Sequence, residues 1–238
     1  MGNFDYQKLP SGYPDQSIQK GLKKGRGFQA NWHDVIYKKV RSFIEPNNSH
    51  LDWACGPGIF IGNYCDNNSI GIDISEIQIE YAKKNYGNNG TYIVKDGNNL
   101  DSFDHNSFDI VTMLDFIEHI EDDEAIGMLN NIYNFLKPGG KLILTTPNYR
   151  SLYTILEMIV NVVGPVSFKE QHINKFNARR LNELLKTSKF QYVKVDKFLN
   201  FSCFLSIFSV SLAQKLENII DKIFYSFFGY VLVAELKK

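Results

Sequence analysis

Apolar residues along this chain fall into two rhythms that alternate from segment to segment. Trp32, Val35, Ile36, Val40 and Phe43 recur at helical spacing and predict a helix from Phe28 to Ile44, ended by Glu45-Pro-Asn-Asn-Ser49. Short apolar runs without that period occur at His50–Trp53, Ile70–Ser75, Tyr92–Gly97, Ser107–Leu114, Lys141–Thr145, Phe190–Val195 and Tyr230–Ala234, and they predict strands. Helical stretches separate them: Phe60–Cys65, Glu76–Tyr86 with Ser75 as its N-cap, Glu121–Leu136 before the Pro138-Gly-Gly140 turn, and Ala178–Ser188 with Asn177 as its cap. Strands and helices alternating at these lengths imply a parallel sheet with right-handed crossovers. Residues 1–25, with Gly12, Gly21, Gly25, Pro10 and Pro14, read as an irregular arm.

Two stretches exceed a minimal sheet-and-helix alternation. Leu152–Val163 is an apolar helix stopped by Gly164-Pro165. Phe201–Phe228 places Phe201, Leu205, Phe208, Leu212, Leu216, Ile219 and Ile223 on one helical face, which predicts packing on the core or on a partner subunit. Ser202, Ser206, Ser209 and Ser211 dilute the segment too much for a membrane span, but contact with a bilayer surface or a lipid-like substrate stays open.

The chain has 238 residues, enough for one α/β domain with additions. We divide it into an arm and lid helix (1–45), a ligand-binding core (46–150), and helical insertions with the last strands (151–238). Twenty-six basic and 26 acidic residues cancel, with no basic stripe, so nucleic acid is not expected as a partner. Cys55, Cys65 and Cys203 form no C-x-x-C pair, and Met1–Tyr6 lacks the charged head and apolar run of a secretory signal. The expected location is the cytoplasm.

The candidate chemistry lies in Leu51-Asp-Trp-Ala-Cys-Gly-Pro-Gly-Ile-Phe60 and Ile70-Gly-Ile-Asp-Ile-Ser75. A strand end, a small-residue turn and a second strand ending in an acid build a nucleoside pocket at the carboxyl edge of a parallel sheet. Ala54, Gly56 and Gly58 would let backbone approach the ligand, and the Asp73 carboxylate could take two ribose hydroxyls. A dinucleotide fingerprint would need a third small residue at position 59 or 61, and both are isoleucine. That disfavours a nicotinamide-dependent oxidoreductase.

The pattern Asp52-x-Ala54-x-Gly56-x-Gly58 resembles the first motif of class I S-adenosylmethionine (SAM) methyltransferases, with Ala54 in place of the first glycine. Tyr92–Gly97, Ser107–Ile120 and Leu136–Asn148 resemble later motifs of that family in order and spacing. The resemblance implies a Rossmann-like fold: a seven-stranded, mostly parallel sheet with helices on both faces, plus helical insertions. It implies SAM as cofactor, held by Asp52, Ala54, Gly56, Gly58, Asp73, Ile74, Asp96, Gly97 and Leu114, with Asp96 at the adenine amino group. Replacing the first glycine by Ala54 is tolerated provided the backbone there is not left-handed.

Methyl transfer to oxygen needs a proton acceptor, and histidine suits neutral pH. His119, beyond the fourth strand, and His172, in Gln171-His-Ile-Asn-Lys-Phe176, are the catalytic candidates; His33 is a third, on the lid helix. His50 and His105 read as strand-edge or loop residues without a role. Asp115-Phe-Ile-Glu-His119 is similar to the E-x-x-E-H element of ubiquinone-biosynthesis O-methyltransferases, which is associated with a divalent metal. At i, i+3 and i+4, Asp115, Glu118 and His119 would converge at one helix start, but the shorter Asp115 reaches less far, so no metal is assigned. Position Leu114-Asp-Phe-Ile117 lacks the [DN]-P-P-[YF] motif of exocyclic base methylation, and the chain has no Pro-Cys pair for cytosine methylation. The expected acceptor is a small molecule, a sugar or a lipid-linked compound methylated on oxygen. A non-catalytic SAM-binding protein, peripheral membrane contact and a homodimer remain alternatives.

Overall fold

Strands β1 (His50–Trp53), β2 (Ser69–Asp73), β3 (Thr91–Val94), β4 (Phe108–Leu114), β5 (Leu136–Pro147), β6 (Tyr192–Phe198) and β7 (Val231–Lys237) form one sheet in the order β3-β2-β1-β4-β5-β7-β6. All neighbours are parallel except at β7, which runs antiparallel between β5 and β6. This computed structural model describes residues 9–66, 68–96, 103–163, 171–224 and 229–238. Gly97 and the Gly164-Pro165 helix stop therefore lie outside the described residues.

The central strands are buried on both faces, and side chains alternate between two cores. Leu51 and Trp53 of β1, Val111 and Met113 of β4, and Leu142 and Leu144 of β5 point to one side. There α5 (Asp122–Phe135) lays down Ala125, Met128, Leu129 and Ile132, and α7 (Ala178–Leu185) adds Leu181, Leu184 and Leu185. Ile110, Ile143, Val231 and Val233 point to the other side, against Trp32, Ile36, Tyr37 and Val40 of α2 (Phe28–Arg41) and Ile59 and Phe60 of α3 (Ile59–Tyr64). Helix α4 (Glu76–Tyr86) packs Ile79 and Ala82 against Ile61 and Tyr92. Asn177 caps α7 as expected: its Oδ1 accepts from the Arg179 and Arg180 backbone N–H groups. Ser75 stands at the N-cap of α4, but its side chain makes no capping bond.

Several expectations are corrected. The arm holds a helix, α1 (Asp15–Lys23), with Ile18 fully buried; Asp15 Oδ2 accepts from the hydroxyls of Tyr81 and Tyr86 on α4. Helix α5 stops at Phe135, and Pro138-Gly-Gly140 lies inside β5 at an irregularity, where the register jumps from Phe108↔Leu136 to Ile110↔Lys141. His50 is no edge residue: it is 1% exposed in a central strand. The 201–228 segment is not one helix but a 3-10 helix, Phe201–Ile207, followed by α8 (Val210–Phe224). Residues 225–228 lie outside the described residues, and much of the apolar row faces outward. Cys203, Ser206, Ala213 and Glu217 are buried, whereas Leu205, Phe208, Leu212 and Ile219 are exposed. Among the described residues no helix is long and apolar enough to cross a membrane.

Candidate active site

A cavity of about 500 Å³ opens at the carboxyl ends of β1, β2 and β4, within the size range of small-ligand sites. Its walls take Phe28, Trp32 and His33 from α2, and Tyr153, Leu156 and Glu157 from α6 (Tyr153–Val163). Ala54, Gly56, Asp73, Ile74, Asp96, Leu114, His119 and His172 all line it, so one space brings together most of the residues singled out from sequence. Asp52 and Gly58 do not line it.

The turn after β1 explains that division. Ala54, Gly56 and Gly58 are all left-handed, with φ of 59°, 52° and 76°. The expectation for Ala54 fails here, since an alanine carries the strained conformation, at about 1 kcal/mol or more. A Cβ built on Gly56 would meet nothing within 4 Å, so a ligand can approach this backbone. A Cβ on Gly58 would lie 2.6 Å from the Tyr92 ring and 2.8 Å from Ala82 Cβ. Gly58 thus serves the close approach of β3 and α4. Asp73 ties the turn to β2: Oδ2 accepts from Gly56 N and Oδ1 from Ser75 N, both at 2.8 Å. Each oxygen keeps a second lone pair for a ligand hydroxyl. Burial raises the Asp73 pKa, and the backbone N–H groups offset part of that.

Behind the turn runs a buried polar chain across three strands. Thr112 Oγ1 donates to Asp52 Oδ1 at 2.6 Å and lies 2.8 Å from His50 Nε2, while His50 Nδ1 lies 2.9 Å from Ser69 Oγ. With its hydrogen given to Asp52, the threonine oxygen accepts from Nε2–H, so Nδ1 accepts from Ser69. Burial pushes Asp52 up to about 7, opposed by the Thr112 bond, and pushes His50 down to about 3.

The same cavity is lined by a cluster of histidines and carboxyls. Asp115 is left-handed (φ 48°) and turned toward Thr145, whose hydroxyl donates to Oδ1 at 2.8 Å. It does not converge with Glu118 and His119 on one helix start, because only a single 3-10 turn, Ile117–His119, follows. Instead Glu118, His119 and His172 come together, with one ligand atom of each within 4.8 Å of the others. That spacing could hold a cation. Burial, then the neighbouring Asp115 charge, raises the Glu118 pKa well above its usual value, so a cation bound here would have to displace a proton. His119 Nδ1–H donates to the Gln171 carbonyl at 2.9 Å; burial, then the adjacent His172, lower its pKa to about 4.

His172 is held differently. Its Nδ1 lies 2.6 Å from Glu157 Oε1 and 2.6 Å from the Tyr149 hydroxyl, which itself donates to Glu157 Oε1 at 2.7 Å. Burial would raise Glu157, but the bonds from His172 and Tyr149 outweigh it and hold the carboxylate below its usual range. A carboxylate on Nδ1–H makes Nε2 the basic atom of the ring. Neither Glu157 nor Tyr149 was singled out from sequence. The signal for Glu157 was there, as the lone charge in the apolar helix YTILEMIVNVV. His33 also lines the cavity; burial lowers it to about 4, and its Nδ1 is buried with no hydrogen-bond partner among the described residues.

The open backbone at Gly56, the doubly held Asp73 and the nearby Asp96 suit the methionine, ribose and adenine parts of a nucleoside cofactor. A family model described as a methyltransferase domain matches residues 28–195. The ubiquinone biosynthesis O-methyltransferase of Coxiella burnetii is 33% identical over 140 residues, which cover 54% of this chain and 58% of that protein. The chain thus spans little more than half the length of this curated relative. The fold matches a SAM-dependent methyltransferase from Archaeoglobus fulgidus (TM-score 0.61, 21% identity, 86% of this chain and 94% of that one). It also matches one from Thermotoga maritima (TM-score 0.63, 18% identity, 94% and 95%).

Proposed function

Since the chain belongs to the methyltransferase-domain family, we propose that it is a SAM-dependent enzyme that methylates a hydroxyl of a hydrophobic small-molecule or lipid-linked acceptor, with His172 as general base. The observation that carries this reading is the Glu157–His172 pair, which lines the same cavity as Gly56 and Asp73. The oxygen acceptor is further supported by the similarity to the ubiquinone biosynthesis O-methyltransferase of Coxiella burnetii.

We assign the cofactor to Ala54, Gly56, Asp73, Ile74, Asp96 and Leu114. When bound, SAM supplies a methyl group on a sulfonium, a good leaving group. The chain's own part is position and proton handling. Phe28, Trp32, Tyr153 and Leu156 offer apolar walls to the acceptor and exclude water. His172 Nε2 takes the hydroxyl proton as the oxygen attacks, and Glu157 stabilises the imidazolium that forms. Burial keeps the His119 ring neutral down to about pH 4.

Calorimetric titration with SAM, followed by methyl transfer to a panel of phenolic acceptors, tests this. Asp73→Ala should abolish saturable binding. His172→Ala should bind SAM normally and lose about a hundredfold or more in kcat. Glu157→Gln should lower kcat without changing KM in proportion, and shift the pH profile of kcat. Full activity in His172→Ala would remove the base from the proposal, and transfer only to amines would remove the oxygen acceptor.

A further inference from the structure

The outward-facing apolar row beyond β6 does not stand alone. The 3-10 helix ends in Ile207 and Phe208, which are 55% and 80% exposed, and α8 continues the row with Leu212 and Ile219, each about half exposed. Two backbone hydrogen bonds stitch this tip to the loop after α1: Gly27 N–H donates to Ser206 O at 2.7 Å, and Val210 N–H to Gly25 O at 2.8 Å. That loop and the end of α1 carry Lys20, Lys23, Lys24 and Arg26, all exposed. A shallow groove lies between the two, lined by Lys20, Lys24, Arg26 and Ile207.

Charge makes the juxtaposition specific. From Gln16 to His33 the sequence has four basic residues and no acidic one. From Phe198 to Leu216 it has Lys215 and no acidic one. The fold therefore sets Lys20, Lys24 and Arg26 beside an apolar tip, in a chain whose 26 basic and 26 acidic residues cancel overall. An aromatic and aliphatic tip ringed by lysine and arginine matches the interface of an anionic bilayer, where the tip enters the acyl boundary and the cations meet phosphate.

We infer that the α1 loop and the Ile207–Phe208 tip dock this protein on the surface of membranes containing anionic phospholipid. The surface adjoins the cavity. Phe28 lines both the groove and the cavity, and its ring lies 5.5 Å from that of Phe204 in the 3-10 helix. A docked molecule would thus present its cavity wall close to the lipid. The inference rests on this surface and not on the identity of the methyl acceptor.

Co-sedimentation of the full chain with vesicles tests it, using phosphatidylcholine alone and an equimolar mixture with phosphatidylglycerol. Binding to the mixture, weakened by salt and much weaker to phosphatidylcholine alone, is expected. Lys24→Ala with Arg26→Ala should weaken it about twenty-five-fold, at roughly fivefold per charge. Phe208→Ser should weaken it about tenfold or more. All three side chains are exposed and lie outside the cavity, so SAM titration of each variant should match the parent and certify its fold. No binding to the mixed vesicles would overturn the inference, as would binding that neither variant weakens. Self-association that Phe208→Ser abolishes, without vesicle binding, would assign the face to a second copy of the chain instead.

Discussion

Ala54, Gly56 and Gly58 look alike in sequence and answer to different constraints. All three are left-handed, but the space over Gly56 is open to a ligand, while Gly58 is closed in by Tyr92 and Ala82. Gly58→Ala should therefore destabilise the fold by about 2 kcal/mol or more, from backbone strain and overpacking together. Ala54→Gly should be neutral or stabilising by up to about 1 kcal/mol, because it relieves a strained alanine. Urea denaturation of the two variants checks this; equal effects of the same sign would mean that the turn conformation is wrong. Spacing could not separate these roles, since the clash partners of Gly58 sit 24 and 34 residues further along the chain. The same limit hid Glu157 and Tyr149. Their importance depends on meeting His172, and that contact is made by the fold rather than by any local motif.

Elements were more legible than contacts. The limits expected for β1 and α4 coincide with those observed, because each is bracketed by turn residues and has a plain period. The end of α5 is met within one residue, but the start of β5 is not, because Pro138-Gly-Gly140, read as a turn, is absorbed into β5 as an irregular stretch opposite β4. What covers the apolar row of α8 was left open for a different reason. An apolar row says that a face avoids water, but not whether protein or another medium covers it, and the buried side here is made of Cys203, Ser206, Ala213 and Glu217. Glu217 accepts from the Asn200 backbone N–H, which fixes that face inward. For α7, whose cap was legible, Asn177→Ala should lower stability by about 1 kcal/mol, seen as a shift in urea midpoint at unchanged slope. An unchanged midpoint would show that Leu181, Leu184 and Leu185 hold the helix without its cap.

At the scale of the molecule, the polar chain inside the sheet links stability to pH. Asp52 titrates at about 7 in the folded state, against about 3.9 in an unfolded chain. Between those values the folded state binds the extra proton, so the Asp52 contribution is full below about pH 4 and is lost as pH rises through 7. Asp73, Asp115 and Glu118 are shifted the same way. Asp52→Asn isolates one of them, since the amide can still accept from Thr112. The variant should gain on the parent by up to about 1.4 kcal/mol per pH unit from about pH 4 to 7, then level off. Parallel stability curves would show that Asp52 is ionised in the folded protein. The sheet order has a temporal consequence as well. Strand β7 is the last strand in the sequence, yet it lies between β5 and β6, which do not pair with each other. On the ribosome, both therefore wait with bare edges until residues 231–237 emerge, and the nascent chain is most exposed to mispairing, and most in need of a chaperone, in that interval.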